Sequence, residues 1–208
     1  MNSKKTIPEE LLRIGAVNVR PKQPYTWTSG LKSPIYCDNR LTMSYPVVRE
    51  QIVTALVEVI MKYYPEVEVI AGTATAGIPH AAWVADRLKL PMVYIRSEAK
   101  KHGTGKQIEG TFRSGAKLVV IEDLISTGQS VIDAVNVAKS EGAEVLGVAA
   151  IFTYELSLSK SAFDNLNIEN HSVTDYTSLV QAAFRTGLIE HDDLESLDKW
   201  NENPETWS

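Results

Sequence analysis

Apolar residues recur at helical spacing between positions 48 and 63: Val48, Ile52, Ala55, Leu56, Val59, Ile60 and Tyr63. Steps of three and four put them on one stripe. This predicts a core-facing helix with Ser44 as cap, Pro46 near its first turn and Pro65 just past its end. After that the period changes. Residues 67–71 form a short apolar strand, 72–77 a loop of small residues and 78–88 a second helix. Residues 91–95 read as a strand, 117–121 as a β-branched strand, 128–141 as a helix and 145–153 as a strand. Between the second and third of these strands, residues 98–105 are polar and lack periodicity. The order strand, helix, strand, loop, strand, helix, strand predicts an α/β fold: a parallel sheet flanked by helices.

The two ends of the chain read differently. Thr6 and Glu9 form a helix start, and that helix is expected to end near Gly15. Short strands at 18–20, 25–28 and 35–37 follow, separated by Pro21, Pro24, Gly30 and Pro34. They suggest a small N-terminal hood lobe. Beyond residue 153, helices are expected at 157–166, 176–186 and 192–200. No linker-like stretch precedes them, so the reading is one domain: a hood at 1–43, a core at 44–153 and a C-terminal helical cover at 154–208.

Composition adds limits. The chain has 208 residues, 44% hydrophobic and 23% charged, enough apolar material for a full core. No run of about 18 apolar residues suggests a membrane span. Lys4 and Lys5 are not followed by an apolar segment, so no secretion signal is expected. Cys37 is the only cysteine, which excludes an intramolecular disulfide and fits the reducing cytoplasm. A net charge of −5 argues against bulk attraction to nucleic acid.

The chemistry concentrates at residues 117–130, K-L-V-V-I-E-D-L-I-S-T-G-Q-S. A buried strand ends in Glu122 and Asp123. Two apolar residues follow, then Ser126, Thr127, Gly128, Gln129 and Ser130 at a helix start. Ligands of open α/β sheets lie beyond the carboxyl ends of strands. A helix N-terminus presents free N–H groups and partial positive charge to a phosphate. The acids suit sugar hydroxyls, or a hard cation such as Mg²⁺ bridging to phosphate oxygens. Together these features fit a ribose 5-phosphate. Singly, the same residues are ordinary turn and cap formers. No Gly-Lys-Ser/Thr and no Gly-x-Gly-x-x-Gly is present.

This run resembles the phosphoribosyl pyrophosphate (PRPP) motif of the type I phosphoribosyltransferases: apolar strand, two acids, two apolar residues, Ser/Thr, small residue, Gly, helix. The resemblance implies that fold. It also implies PRPP binding by Glu122, Asp123, Leu124, Ile125, Ser126, Thr127, Gly128, Gln129 and Ser130, with Mg²⁺ held through PRPP. Three further segments resemble the orotate-using members of the family. Thr28-Ser29-Gly30-Leu31-Lys32-Ser33-Pro34-Ile35-Tyr36 is similar to their N-terminal Ser-Gly-x-x-Ser-Pro-aromatic segment, and Asp38-Asn39-Arg40 extends it. Residues 71–79 resemble the pyrophosphate-binding loop. Arg96-Ser97-Glu98-Ala99-Lys100-Lys101-His102-Gly103 resembles the mobile catalytic loop, with 106–110 as a return strand.

What the resemblance implies is transfer of ribose 5-phosphate to orotate by a homodimer with shared sites. Lys100, His102 and Asp123 are then the catalytic residues. Arg96, Lys100, Lys101 and His102 contact PRPP, and Ser126 also reaches orotate. The match departs from the family's usual pattern at Thr28, Ala76 and Ser97, where lysines are frequent. It departs again at Tyr154-Glu155-Leu156, where some members place a carboxylate-binding arginine, and at Glu122, where Asp is frequent. Transfer to adenine or xanthine, and a non-enzymatic PRPP-sensing regulator, are the alternatives.

Overall fold

The computed structural model describes residues 3–27, 30–98 and 106–207. The chain begins with α1 (Ser3–Arg13), β1 (Val17–Val19), β2 (Tyr25–Thr26), β3 (Lys32–Ser33) and β4 (Ile35–Cys37), followed by a 3-10 turn at Asn39–Ser44. Then come α2 (Pro46–Tyr63), β5 (Val69–Thr73), α3 (Gly77–Leu88), β6 (Met92–Ile95), β7 (Ile108–Glu109), β8 (Lys117–Ile125) and α4 (Gln129–Ser140). The chain closes with β9 (Glu144–Thr153), α5 (Ser157–Leu166), β10 (Glu169–Asp175), α6 (Tyr176–Arg185) and α7 (His191–Glu202).

Six strands form one sheet in the order β10-β9-β8-β5-β6-β7. All neighbours are parallel except β7, which returns antiparallel to β6. The central strand β8 shows why the chain folds this way. Leu118, Val119, Val120 and Ile121 are all fully buried, as a strand covered on both faces requires. Alternate residues enter opposite cores. Val119 and Ile121 pack with α1, α2 and α3; Leu118 and Val120 pack with α4 and Phe163 of α5. The hood consists of two small antiparallel ladders, β1 with β4 and β2 with β3.

The sequence expectations need correction at several boundaries. α1 starts at Ser3, so Thr6 lies inside it and is not its cap, while Pro8 sits within the helix. As the sixth residue of α1, Pro8 lies past the four N–H groups that lack intrahelical partners, so it gives up one hydrogen bond of the helix. Tyr45, not Ser44, precedes α2; Ser44 closes the 3-10 turn. β5 runs to Thr73 rather than ending at Ala71. β8 does not stop before the acids but passes through Glu122 and Asp123 to Ile125, because β9 stays paired with it as far as Thr153. β3 and β10 were not expected. β10 adds a strand to the sheet within the segment read as purely helical.

Candidate active site

Glu122 and Asp123 lie near the carboxyl end of β8, the side of a parallel sheet where ligands sit. They face different surroundings. Glu122 is 6% exposed. Its Oε1 accepts from Thr73 Oγ1 at 2.7 Å and from the Asp123 backbone N–H at 2.9 Å. Thr73 ends β5, so this carboxyl binds two adjacent strands together. Burial, and then the charge of Asp123, push the Glu122 carboxyl up to about 8. Asp123 is half-buried and the more open of the two. Burial raises its carboxyl as well, opposed first by hydrogen bonding to Glu122 and less by the Arg40 guanidinium.

After the acids, Leu124 and Ile125 point into opposite cores, so their side chains are spacers and only their backbone faces the site. Ser126 is half-buried, and Thr127, Gln129 and Ser130 are exposed at the start of α4. Gly128 caps α4 with φ +84°, a conformation that suits glycine. Its constraint is this backbone angle rather than space. An added Cβ would meet only ordinary contacts, the nearest being Ser159 Cβ at 3.4 Å.

Across from this cradle, the loop between β5 and α3 includes a cis peptide at Ala74-Thr75. Gly77 begins α3 so close to β8 that an added Cβ would lie 2.5 Å from the Ile121 carbonyl oxygen and from Thr73 Oγ1. Thr73, Ala74, Arg96, Gln129, Ser130 and Asp133 line one cavity of about 320 Å³, so this loop and the cradle share a space. Arg96 stands at the end of β6. It is held by its backbone N–H to Gln107 O at 2.9 Å and by an ion pair to Glu109 at 3.5 Å. A larger groove of about 620 Å³ runs between α2, α5 and β10, but neither Glu122, Asp123 nor any residue of 126–130 lines it.

The hood closes the remaining side. Asn39, fully buried, donates its side-chain amide to the Asp123 backbone carbonyl at 2.6 Å. Thr42 Oγ1 donates to Asn39 O at 2.6 Å. That leaves His80 Nε2, 3.4 Å away, to donate to Thr42. His80 is buried and its Nδ1 has no partner; burial lowers the imidazole to about 4, so it is neutral.

The structure thus brings together Arg96, Glu122, Asp123, Ser126, Thr127, Gly128, Gln129 and Ser130. Lys100, Lys101 and His102 lie outside the described residues, as do Thr28 and Ser29. Two residues of the resembling segments 38–40 and 71–79 that carry no individual role in the sequence analysis, Asn39 and Thr73, brace the acids. Thr73 is a polar residue ending a buried apolar strand, a signal that could have flagged it. Asn39 lies in the resembling segment 38–40, but its bond to Asp123 has no local signal, since the partner is 84 residues away. Among the described residues no cluster of three or more acids, histidines or cysteines is placed to hold a metal alone, and no helix is long and apolar enough to cross a membrane.

Residues 48–179 match the family of phosphoribosyl transferase domains. The chain is 57% identical over 204 residues to the orotate phosphoribosyltransferase of Bacillus caldolyticus, covering 98% of each chain. It is 58% identical over 203 residues to that of Enterococcus faecalis, covering 98% of this chain and 97% of the relative. Its fold is similar to the crystal structure of orotate phosphoribosyltransferase from Aeropyrum pernix, with a TM-score of 0.76 at 27% identity, over 88% of this chain and 99% of that one. With that likeness spanning nearly the whole sequence, and with the acid pair, cradle and facing loop in place, the chain belongs to the phosphoribosyltransferase family, among the orotate phosphoribosyltransferases.

Proposed function

We propose that this protein transfers the ribose 5-phosphate group of PRPP to orotate, giving orotidine 5′-monophosphate and pyrophosphate. The bond from ribose C1 to the pyrophosphate oxygen breaks, and a bond from C1 to a ring nitrogen of orotate forms. The observation that carries this reading is the acid pair on β8, with the helical cradle on one side and the β5–α3 loop on the other. In it Asp123 holds ribose hydroxyls, and residues 126–130 hold the 5-phosphate by N–H groups and hydroxyls. Glu122, gripped by Thr73, braces the acid strand against the pyrophosphate loop.

The transition state of such a transfer is oxocarbenium-like, so positioned charge dominates its stabilisation. Arg96, Lys100, Lys101 and His102 neutralise the departing pyrophosphate, and a closing loop keeps water from PRPP. The more open carboxylate, Asp123, would take Mg²⁺ together with the oxygens of PRPP, not in a cage made by protein alone. Bound there, Mg²⁺ supplies positive charge at the pyrophosphate.

A homodimer with shared sites is part of the proposal. Exposed apolar side chains follow one another at Leu41, Tyr45 and Val47, the last 70% exposed, which supports a partner surface there. A cytoplasmic setting agrees with the single cysteine. The test is PRPP consumption with orotate, adenine, xanthine and uracil side by side. Mg²⁺-dependent turnover of orotate is expected. Turnover of adenine or xanthine with orotate untouched would sink the proposal.

A further inference from the structure

The C-terminal helix α7 carries none of the acid, cradle or loop residues, yet it grips the hood. Trp200 is fully buried. Its Nε1–H donates to the Lys32 backbone carbonyl at 3.0 Å. Its ring meets Trp27 edge-on at 5.8 Å. Trp27 and Lys32 stand at the two arms of the β2–β3 hairpin. Trp27 N–H donates to Leu31 O at 2.9 Å, and Gly30 N–H donates to Trp27 O at 2.8 Å. One side chain therefore holds both arms.

The next residue extends the clamp. Asn201 Nδ2 donates to the Tyr154 backbone carbonyl at 2.6 Å. The Tyr154 ring, just past the end of β9, lies 5.4 Å from Trp27 and 5.7 Å from Trp200. The hairpin is thereby fixed to the carboxyl end of the sheet. At that end the cradle and the β5–α3 loop occupy the phosphate sides of the acids. On the proposed function, with those elements given to the phosphates, the hood is the wall that remains for the acceptor base.

A buried tryptophan is usually a packing residue. Here its N–H is spent on a hairpin carbonyl rather than within its own helix. We propose that Trp200 is a positioning residue for the acceptor: it sets the affinity for orotate by fixing the hairpin, without touching the base. This rests on the proposed transfer to orotate. The hairpin contacts neither Glu122 nor the cradle through any of the hydrogen bonds described above, so PRPP binding is expected to be spared.

Trp200→Phe keeps a buried ring and removes the N–H. The expected result is a rise in orotate KM of about tenfold, the scale of one lost hydrogen bond. PRPP KM and kcat should stay within about twofold of wild type. Amide exchange at Trp27 and Gly30 should quicken while that of β8 does not. Asn201→Ala, at a half-buried position, is the second variant in case Trp200→Phe fails to fold; a smaller rise in orotate KM is expected from it. An unchanged orotate KM in the folded variants overturns the clamp, as does an equal rise in PRPP KM. Absence of orotate turnover by the unaltered protein overturns the functional reading itself, and is told apart by that control.

Discussion

The side-chain amide of Asn39 donates to the backbone carbonyl of Asp123 at 2.6 Å, so the hood holds the acid strand at the residue proposed to meet the ribose. Asn39 is fully buried and Asp123 half-buried, so removing the amide leaves a part-buried carbonyl without this partner. Such a loss costs about 1–3 kcal/mol. Asn39→Ala is therefore expected to lower Tm and also to raise PRPP KM, by about fivefold for each 1 kcal/mol felt at the ribose. Steady-state kinetics beside thermal unfolding checks this. A fall in Tm with PRPP KM unmoved would reduce Asn39 to a packing role.

Stability should respond to pH through two buried groups acting in opposite directions. Glu122 titrates near 8 when folded, against an ordinary 4.5. The folded state thus keeps a proton that the unfolded chain releases. Stability from this group is full below about 4.5 and is lost as pH rises through about 8. His80 is lowered to about 4 from an ordinary 6.5. Its contribution is full above about 6.5 and is lost as pH falls through about 4. Glu122→Gln should flatten the alkaline arm of a plot of Tm against pH. His80→Gln, which can still donate to Thr42, should flatten the acid arm. Curves parallel to wild type would contradict both assignments.

What the sequence revealed and what it hid follow from how local each signal is. β8 was legible because Leu118–Ile121 is a continuous apolar run buried on both faces. Its true end was not. Glu122 and Asp123 read like turn residues, but pairing with β9, invisible locally, carries the strand through them. β10 escaped because E-N-H-S-V-T-D holds a single large apolar residue, Val173, as an edge strand can. The cradle was readable from Ser126-Thr127-Gly128, since the type of turn dictates the residues. The braces on the acids were not: Thr73 reaches Glu122 across 49 residues and Asn39 reaches Asp123 across 84. Periodicity carries no trace of such pairs.

Two glycines at the site should fail for different reasons. At Gly77 a Cβ would lie 2.5 Å from a backbone oxygen of β8, which cannot yield cheaply. Gly77→Ala should push α3 off the strand, cost about 1–3 kcal/mol of stability and disturb the β5–α3 loop proposed to take the pyrophosphate. At Gly128 there is room, but φ is +84°. Gly128→Ala should cost about 1–2 kcal/mol in backbone strain and turn the cradle N–H groups, raising PRPP KM. Gly128→Val adds a branch at the same strained angle and should raise it further. Tm and PRPP KM for the three variants check this ordering. Wild-type PRPP KM in Gly128→Val would remove the cradle from the phosphate site.

Lys100, outside the described residues, is proposed to act at the pyrophosphate end of PRPP, and kinetics can separate that end from the 5-phosphate end. A group that acts on pyrophosphate as it leaves strengthens in the transition state, and its loss lowers kcat. A group that holds the 5-phosphate throughout acts equally in both states, and its loss raises KM. Lys100→Ala is thus expected to lower kcat by roughly 10²–10³ with a smaller change in PRPP KM. If the loop serves the neighbouring subunit, mixing Lys100→Ala chains with Asp123→Asn chains should restore activity. In the hybrid, one site holds an intact Asp123 from one chain and an intact Lys100 from the other. Because the two defects then fall together in the second site, recovery should not exceed about half of the sites in each closed pair. No recovery, with subunit exchange verified by mass-tagged chains, would assign the loop to its own site. Wild-type kcat and KM in Lys100→Ala would remove the loop from the chemistry altogether.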